Sequence, residues 1–466
     1  PASGFYDFPI TNSVRLGGTG HLTHTNSSDS ASRQKFTFST WLKISSVGTG
    51  HHQLFDATDN YGRIYFTADD SGGNTVRVLM GDGSSNGNLV TTRKFRDTSS
   101  WYHIVVAVDT TEGTAGDRIK IYINGVRETS FAAETDVNVN VITKVGGTAL
   151  ELIGAQAGPD TYFKGYLAET HYIVNAQLTA ASFGEFKNDI WIPKDTAGLT
   201  YGTNGYRLQY KQTGTSANSS GIGADTSGND NHWTPVNLVA SDVVPDSPTN
   251  NFATLNPLDA VISNSAYTIS EGNTKVILDG NASYLDIAGT MQVGPGGKWY
   301  WEQYNKNPGS GNTGNPQTAL CPANQSAHQP ATVPSGSVDL VIGTRDGDEE
   351  VYMIAVDLDN GFAYRGNEGS WSNGANLDDI VSGEGTGATA SSISSTEMWR
   401  PFIELLYDGS SAVAHMNFGQ DSTFAGTVSA GTSTDSNGKG NFKYAPPAGF
   451  LALCTSNLPD PVETID

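Results

Sequence analysis

The sequence predicts an all-β protein: two tandem β-sandwiches, at 1–195 and 260–466, joined by an irregular segment at 196–259. Three observations predict it. Short runs of alternating bulky and small side chains recur between turn-rich gaps, with no long helical period among them. Only 16% of residues are charged and 54 are glycine, the profile of a loop-rich β protein. The middle, from Ser220 to Asp259, is so dense in Gly, Ser, Asn, Asp and Pro that it favours turns over a core of its own. At 466 residues the chain also exceeds what one core sustains, so two domains of about 200 residues each are expected.

In the first block, Phe36–Ile44 alternates as a strand with one face on a core should, and Arg63–Phe66 and Thr75–Met80 repeat the theme. Trp101–Val108 and Arg118–Arg127 are the strongest patterns. Asn124-Gly125 tolerates the positive φ that a tight hairpin requires. The block closes with a strand at Phe163–Ile173 and then Leu178–Phe186, which reads as one or two helical turns with Thr179 as cap. The middle stretch reads as a joint. In the second block, strands are expected at Gly297–Tyr304, Asp339–Arg345, Val351–Gly361, Trp399–Tyr407 and Ala412–Gln420, with a hairpin at Asn360-Gly361. Gly- and Ser-rich loops are expected at 308–337, 366–396 and 426–441, long enough to suggest function or mobility.

The strand with Trp41, the Trp101-Tyr102-His103 strand, the Ile121–Gly125 hairpin and Gly165–Glu169 together resemble the concanavalin A-like, laminin-G-like jelly-roll sandwiches. Lys298–Glu302, the Val356–Gly361 hairpin followed by Trp371, Pro401, Asn417-Phe418-Gly419 and Pro447–Phe450 resemble a SPRY domain, itself such a sandwich. Asn12–Leu16, Phe38–Lys43, Phe163–Pro193, Asp225–Asn237, Asp246–Asn250, Leu255–Leu258 and the tail Phe442–Pro459 are similar to a recurrent bacteriophage virion protein common among marine phages. The resemblance implies a fibre or fibre-like appendage on the virion surface, assembled in the host cytoplasm. Its implied partners are other virion proteins, copies of itself (a trimer being one option) and a host-surface glycan or envelope component.

The charge of −22 excludes a phosphate-backbone binder, which needs clustered Lys and Arg. About −4 of it falls before residue 196 and about −18 after, an acidic surface that serves solubility first. No apolar run approaches a membrane span, and the first residues lack a signal-peptide pattern, so membrane insertion and export by that route are not expected. Cys321 and Cys454 are expected to be free and buried.

No catalytic residue is assigned. Glycoside hydrolysis needs two flanking carboxylates, and the Glu-x-Asp-x-Glu strand of the related β-glucanases has no counterpart here. Tyr284–Ala288 carries only Asp286, and Asp346–Glu350 reads as a solvated turn rather than a metal or catalytic cluster. No cofactor is expected, with Ca²⁺ the one ion considered: Asp225, Asn229, Asp230 and Asn231 supply oxygens, although Asx-turns explain them more simply. His51 and His52, near Asp56 and Asp59, point to opposite faces of a strand and so do not share an ion. Loop aromatics Tyr61, Tyr162, Tyr201, Trp233, Tyr364 and Trp371 offer faces for sugar stacking or pack at strand ends; the binding and metal sites stay unassigned.

Overall fold

The computed structural model describes residues 5–459, apart from 47–49, 58–60, 69–73, 159–160, 263–266, 280–283, 307–315, 324–339, 342–347, 372–379, 382, 384–389 and 407–410. The chain is all-β and falls into two compact units that divide between Asn250 and Asn251.

The first unit is a sandwich of two eight-stranded sheets. One sheet runs Val126–Arg127, Ile119–Ile123, Tyr102–Asp109, Lys35–Ile44, Gly165–Val174, Ser13–Leu16, Val243–Val244, with Tyr206–Leu208 also on Gly165–Val174. The other runs Phe131–Thr135, Asn86–Thr91, Asn74–Gly81, Gly62–Ala68, His51–Asp56, Leu150–Ile153, His21–Thr25, Thr234–Val236. Their inner faces meet in one core, where Phe38 of one sheet lies 5.2 Å, centroid to centroid, from Phe55 of the other. Asn124 and Gly125 both have positive φ (47° and 82°), which matches the twist of the hairpin they close.

The strand Lys35–Ile44 is buried on both faces, which alternation by itself does not imply. Phe36, Phe38, Leu42 and Ile44 enter the core. The small and polar residues of the opposite face lie under irregular chain. That cover includes much of what the sequence reads as a joint: residues 196–250 belong to the first unit. Tyr206, Leu208, Tyr210, Ile222 and Trp233 are all core residues. A turn-rich stretch enters a core when a few large side chains, well separated, each reach an existing apolar surface while polar side chains bond the turns between them. Asp225 does the latter. Its carboxylate accepts the N–H groups of Arg207, Ser227 and Asn231 and the Ser227 hydroxyl, at 2.8–2.9 Å. The 246–250 run clamps the start of the chain: Ser247 and Thr249 hydroxyls donate to the Ile10 carbonyl. Asp246, itself fully buried, takes Lys43 Nζ at 3.0 Å and Trp101 Nε1 at 3.1 Å.

The helical turns expected over Leu178–Phe186 reduce to a 3₁₀ turn at Ala180–Ser182, with no side-chain cap from Thr179. Gly184–Lys187 instead pairs with Ile190–Pro193 as a separate two-stranded hairpin. The two-residue loop Asn188-Asp189, with φ of 49° and 57°, closes it; two turn-tolerant residues outweigh a weak helical period.

The second unit packs a five-stranded sheet on a nine-stranded one. The first runs Val261–Ile262, Tyr284–Ala288, Trp399–Leu406, Gln317–Pro322, Leu340–Val341. The second runs Tyr267–Ser270, Lys275–Leu278, Ala412–Asn417, Lys298–Lys306, Glu350–Asp357, Phe362–Asn367, Ser370–Trp371, with Ala390–Ser392 and the parallel Leu451–Ala452 added. Trp301, Ile354, Leu285 and Ile403 meet between them. Residues 426–441 are not an open loop. Flanking Phe424 and Phe442 are fully buried, and Asp435 accepts bonds from Asn437, Lys439, Ala452 and Asn457 that fix the returning chain. Beneath it, buried Glu302 accepts from Tyr300 Oη, Asn417 Nδ2 and the N–H groups of Lys443 and Tyr444. The loop expected at 308–337 lies largely outside the described residues, as do most of 372–389 and Asp346.

Candidate functional site: an aromatic hairpin on the first sandwich

The outer face of the sheet carrying Lys35–Ile44 holds a chain of buried polar contacts. Ser39 Oγ lies 2.8 Å from His103 Nε2, and the pair is at most 1% exposed. A serine against a histidine invites a nucleophilic reading, but Trp191 Nε1 stands 3.1 Å from His103 Nδ1. An indole N–H only donates, so Nδ1 accepts and the proton of the neutral ring sits on Nε2. His103 therefore donates to Ser39 and is no base toward it. Burial also pushes the imidazole down to about 3. Beside it, His171 is held well below its ordinary range by burial and the Arg207 charge; its Nδ1 meets Tyr201 Oη at 2.9 Å. Glu169, which bonds Arg207 Nε and Gln209 Nε2, sits at φ +46° where the strand bulges. These groups are closed from solvent and bonded to one another, so they position elements rather than meet a ligand.

That polar layer supports an aromatic pair, Trp191 half-buried and Phe186 exposed. Trp41 stacks on His103 at 4.7 Å, and Trp191 stacks on the same ring at 6.0 Å. Phe186, opposite Trp191 in the hairpin, meets it edge-on at 4.9 Å and is 55% exposed. Gly125 is required where Trp191 passes: a Cβ there would stand 2.3 Å from the indole. Next to this pair the hairpin exposes Asn188, Asp189 and Ile190, and across the neighbouring turn Val126 is also exposed. An apolar ring held rigidly beside amide and carboxylate groups suits a ligand with both a CH face and hydroxyls.

The sequence-derived candidates scatter. Tyr201, Trp233 and Tyr364 are buried, so they are packing residues and not stacking platforms. Tyr61 lies half-buried against Gly83, Tyr162 half-buried near His21, and Trp371 half-buried against the cluster containing Tyr364. All four lone acceptor directions of Asp225 are taken by donors, while Asp230 is 90% exposed at its side chain. Asn229 and Asn231 turn their amide nitrogens to the carbonyls of Gly202, Thr203 and Gly205. Asp225 forms the Asx-turn expected of this loop, its oxygens bonded to the N–H groups of Ser227, Asn231 and Arg207 and to the Ser227 hydroxyl. His51 is exposed and His52 buried, as opposite faces require; Asp56 is paired with Arg63 at 3.2 Å, and Asp59 lies outside the described residues. Glu349 pairs with Lys306. Among the described residues no group of three or more His, Cys, Asp or Glu is arranged to hold a metal. Both cysteines are free and buried, and burial pushes the Cys454 thiol up to about 12. Phe186 went unrecognised because a helical period was read across it; the signal that locates it is Asn188-Asp189 between two short apolar runs.

Residues 16–182 match the family described as the concanavalin A-like lectin/glucanases superfamily, just over a third of the chain. No curated protein sequence matches it. Among solved structures, a Bacteroides ovatus protein assigned, not proven, to carbohydrate binding is 14% identical over 50% of this chain and 60% of its own, with a TM-score of 0.36. This chain thus spans less than two thirds of that protein. The SPRY domain of human HERC1 is 9% identical over 35% of this chain and 96% of its own, at 0.25. Tailspike protein 2 of an Escherichia coli O157:H7 bacteriophage is 14% identical over 33% of this chain and 21% of its own, at 0.25. At such scores none of the three bears on what this chain does.

Proposed function

We propose that the chain is a non-enzymatic component of a phage virion, a fibre or fibre-like appendage at the particle surface that attaches to host glycan. The observation that carries glycan attachment is the Phe186–Trp191 pair, just after the residues 16–182 that match the concanavalin A-like lectin/glucanases superfamily. A sugar ring lays its CH face on Phe186 while Asn188 and Asp189 meet its hydroxyls; a single such contact is weak, and many copies on one particle multiply it. The virion role rests on the motifs Asp225–Asn237, Asp246–Asn250 and the tail, and homo-oligomerisation follows from it as part of the same proposal.

Two measurements test this. Purified full chain is applied to host polysaccharides with and without Phe186→Ala; the variant is expected to lose at least tenfold in apparent affinity with unchanged melting temperature. Equal binding by both removes the hairpin from the site, and no binding by either favours a purely architectural role. Immunogold labelling of virions places the protein at fibre tips or over the head, and absence of label refutes the virion role. One observation favours an enzymatic rival: Asp286 stands in register opposite Glu404. Cross-strand partners have Cβ atoms about 5 Å apart, which puts the two carboxyls within reach of one another, although Asp286 is buried. Reducing-end release that disappears in Glu404→Gln would establish a depolymerase instead.

A further inference from the structure

At one end of the first sandwich, polar groups from both sheets converge inside the core. Glu151 and His24 are paired across neighbouring strands of one sheet, and Tyr172 and Tyr206 across neighbouring strands of the other. The Tyr172 and Tyr206 rings stack at 5.5 Å, Trp233 meets Tyr206 edge-on at 5.0 Å, and His24 stacks on Trp233 at 5.4 Å. Glu151, Tyr172, Tyr206 and Trp233 are all at most 2% exposed. Gly146 marks where they gather. Its N–H donates to Glu151 Oε1 at 2.8 Å, and a Cβ on it would stand 2.5 Å from Ser30 Oγ and 2.6 Å from Tyr172 Oη.

Several of these groups are left over. The Tyr206 hydroxyl, the Trp233 indole N–H and Arg33 Nε have no hydrogen-bond partner among the described residues, and Tyr172 Oη and Ser30 Oγ have none beyond one another. Burial and the Glu151 carboxyl hold both phenols well above their ordinary range, so each hydroxyl keeps its proton to donate. A buried polar group without a partner costs about 1–3 kcal/mol, and several in one place call for a bridging molecule.

We propose that this end of the sandwich encloses a water-binding site, in which ordered water bridges Glu151 to the Tyr206 hydroxyl and the Trp233 N–H beside the Tyr172–Ser30 pair. The chemistry of the lining selects the ligand. The unpartnered Trp233 N–H and the Arg33 charge near Glu151 and Tyr172 disfavour a cation, and Glu151 disfavours an anion. Water both donates to the carboxyl and accepts from indole and phenol, and Glu151, Tyr172, Tyr206 and Trp233 are closed to solvent, as an enclosed water requires. Its role is to tie three pieces together: Tyr172 comes from one sheet, Glu151 from the other, and Tyr206 and Trp233 from the turn-rich stretch after residue 195.

The test is the sign of one substitution in the full chain, with a high-resolution crystal structure beside it. If water satisfies the hydroxyl, Tyr206→Phe breaks a bridge: the melting temperature of the first unit falls by about 2–4 °C, and proteolysis within 200–235 quickens. If the hydroxyl is unpaired, removing it relieves a cost, and an unchanged or raised melting temperature overturns the proposal. In the crystal, ordered solvent density within hydrogen-bond reach of Glu151, Tyr206 Oη and Trp233 Nε1 supports the site. Direct bonds among those side chains, with no solvent between them, overturn it.

Discussion

Glu151 and Glu302 are carboxyls that burial pushes up to about 7, but their surroundings differ. Glu302 accepts four hydrogen bonds, which oppose the rise and favour its charged form. Glu151 has the Gly146 N–H and the nearby Asn26 and Arg33 against burial alone. An acid whose folded pKa exceeds its unfolded value of 4.5 holds its proton longer in the folded state. Stability from that group is therefore full below about 4.5 and lost as the pH rises through about 7. For Glu151 this amounts to up to about 3 kcal/mol. The groups facing it are His24 from its neighbouring strand, Tyr172 and Tyr206 from the opposite sheet, and Arg33. His24 is lowered by burial, and, like His103 and His171, it gives the opposite slope as the pH falls below 6.5. The difference between native chain and Glu151→Gln isolates the carboxyl. We expect the native chain to lose stability relative to the variant between pH 4.5 and 8, measured by denaturant unfolding; parallel curves would assign Glu151 an ordinary pKa.

Two loops with little regular structure are fixed by single aspartates. Asp225 collects three donors from its own loop and the N–H of Arg207 from the neighbouring strand, and so delivers Trp233 to the core eight residues later. Asp225→Asn replaces one acceptor oxygen with a donor that faces the Asn231 N–H or the Ser227 N–H. The cost is about 2–4 kcal/mol by loss of bonds to a charged group and an unsatisfied donor. Midpoint shifts in denaturant, with unchanged m-value, are the expected record. Asp435 does the same in the second unit, where it ties 435–439 to Ala452 and Asn457. The Phe186–Trp191 hairpin is the converse case: it sits on a rigid layer of Trp41, His103 and Gly125 but leaves one ring in solvent, so Phe186→Ala should change binding and not folding.

At the scale of the molecule, the division of the chain governs which fragments fold. A fragment ending at 195 keeps the strands of the first block but lacks Tyr206, Leu208, Trp233 and Asp246, leaving core positions open and Lys43 buried without its partner. Each is a large term: core truncations cost about 2–5 kcal/mol, and so does breaking a buried ion pair. A fragment ending at Asn250 keeps all four. We expect the longer fragment to give one cooperative thermal transition by circular dichroism and the shorter one to aggregate or melt without cooperativity. Equal transitions for both would return residues 196–250 to the status of a connection.

Alternation of side chains, hairpin residues such as Asn124-Gly125, and length determined the all-β class, most strands and the presence of two sandwiches, because these depend on local backbone preference and on how much surface one core buries. Which polar faces would be covered depended on contacts between residues far apart in sequence. Lys35–Ile44 reads as half-exposed, yet its outer face is sealed by chain lying 139 to 203 residues away. For the same reason Trp233, Tyr201 and Tyr364 read as loop aromatics while they are core, and Phe186, read as part of a helical turn, is the ring left in solvent. Local pattern states how a segment can bend; only packing decides which of its side chains meet water.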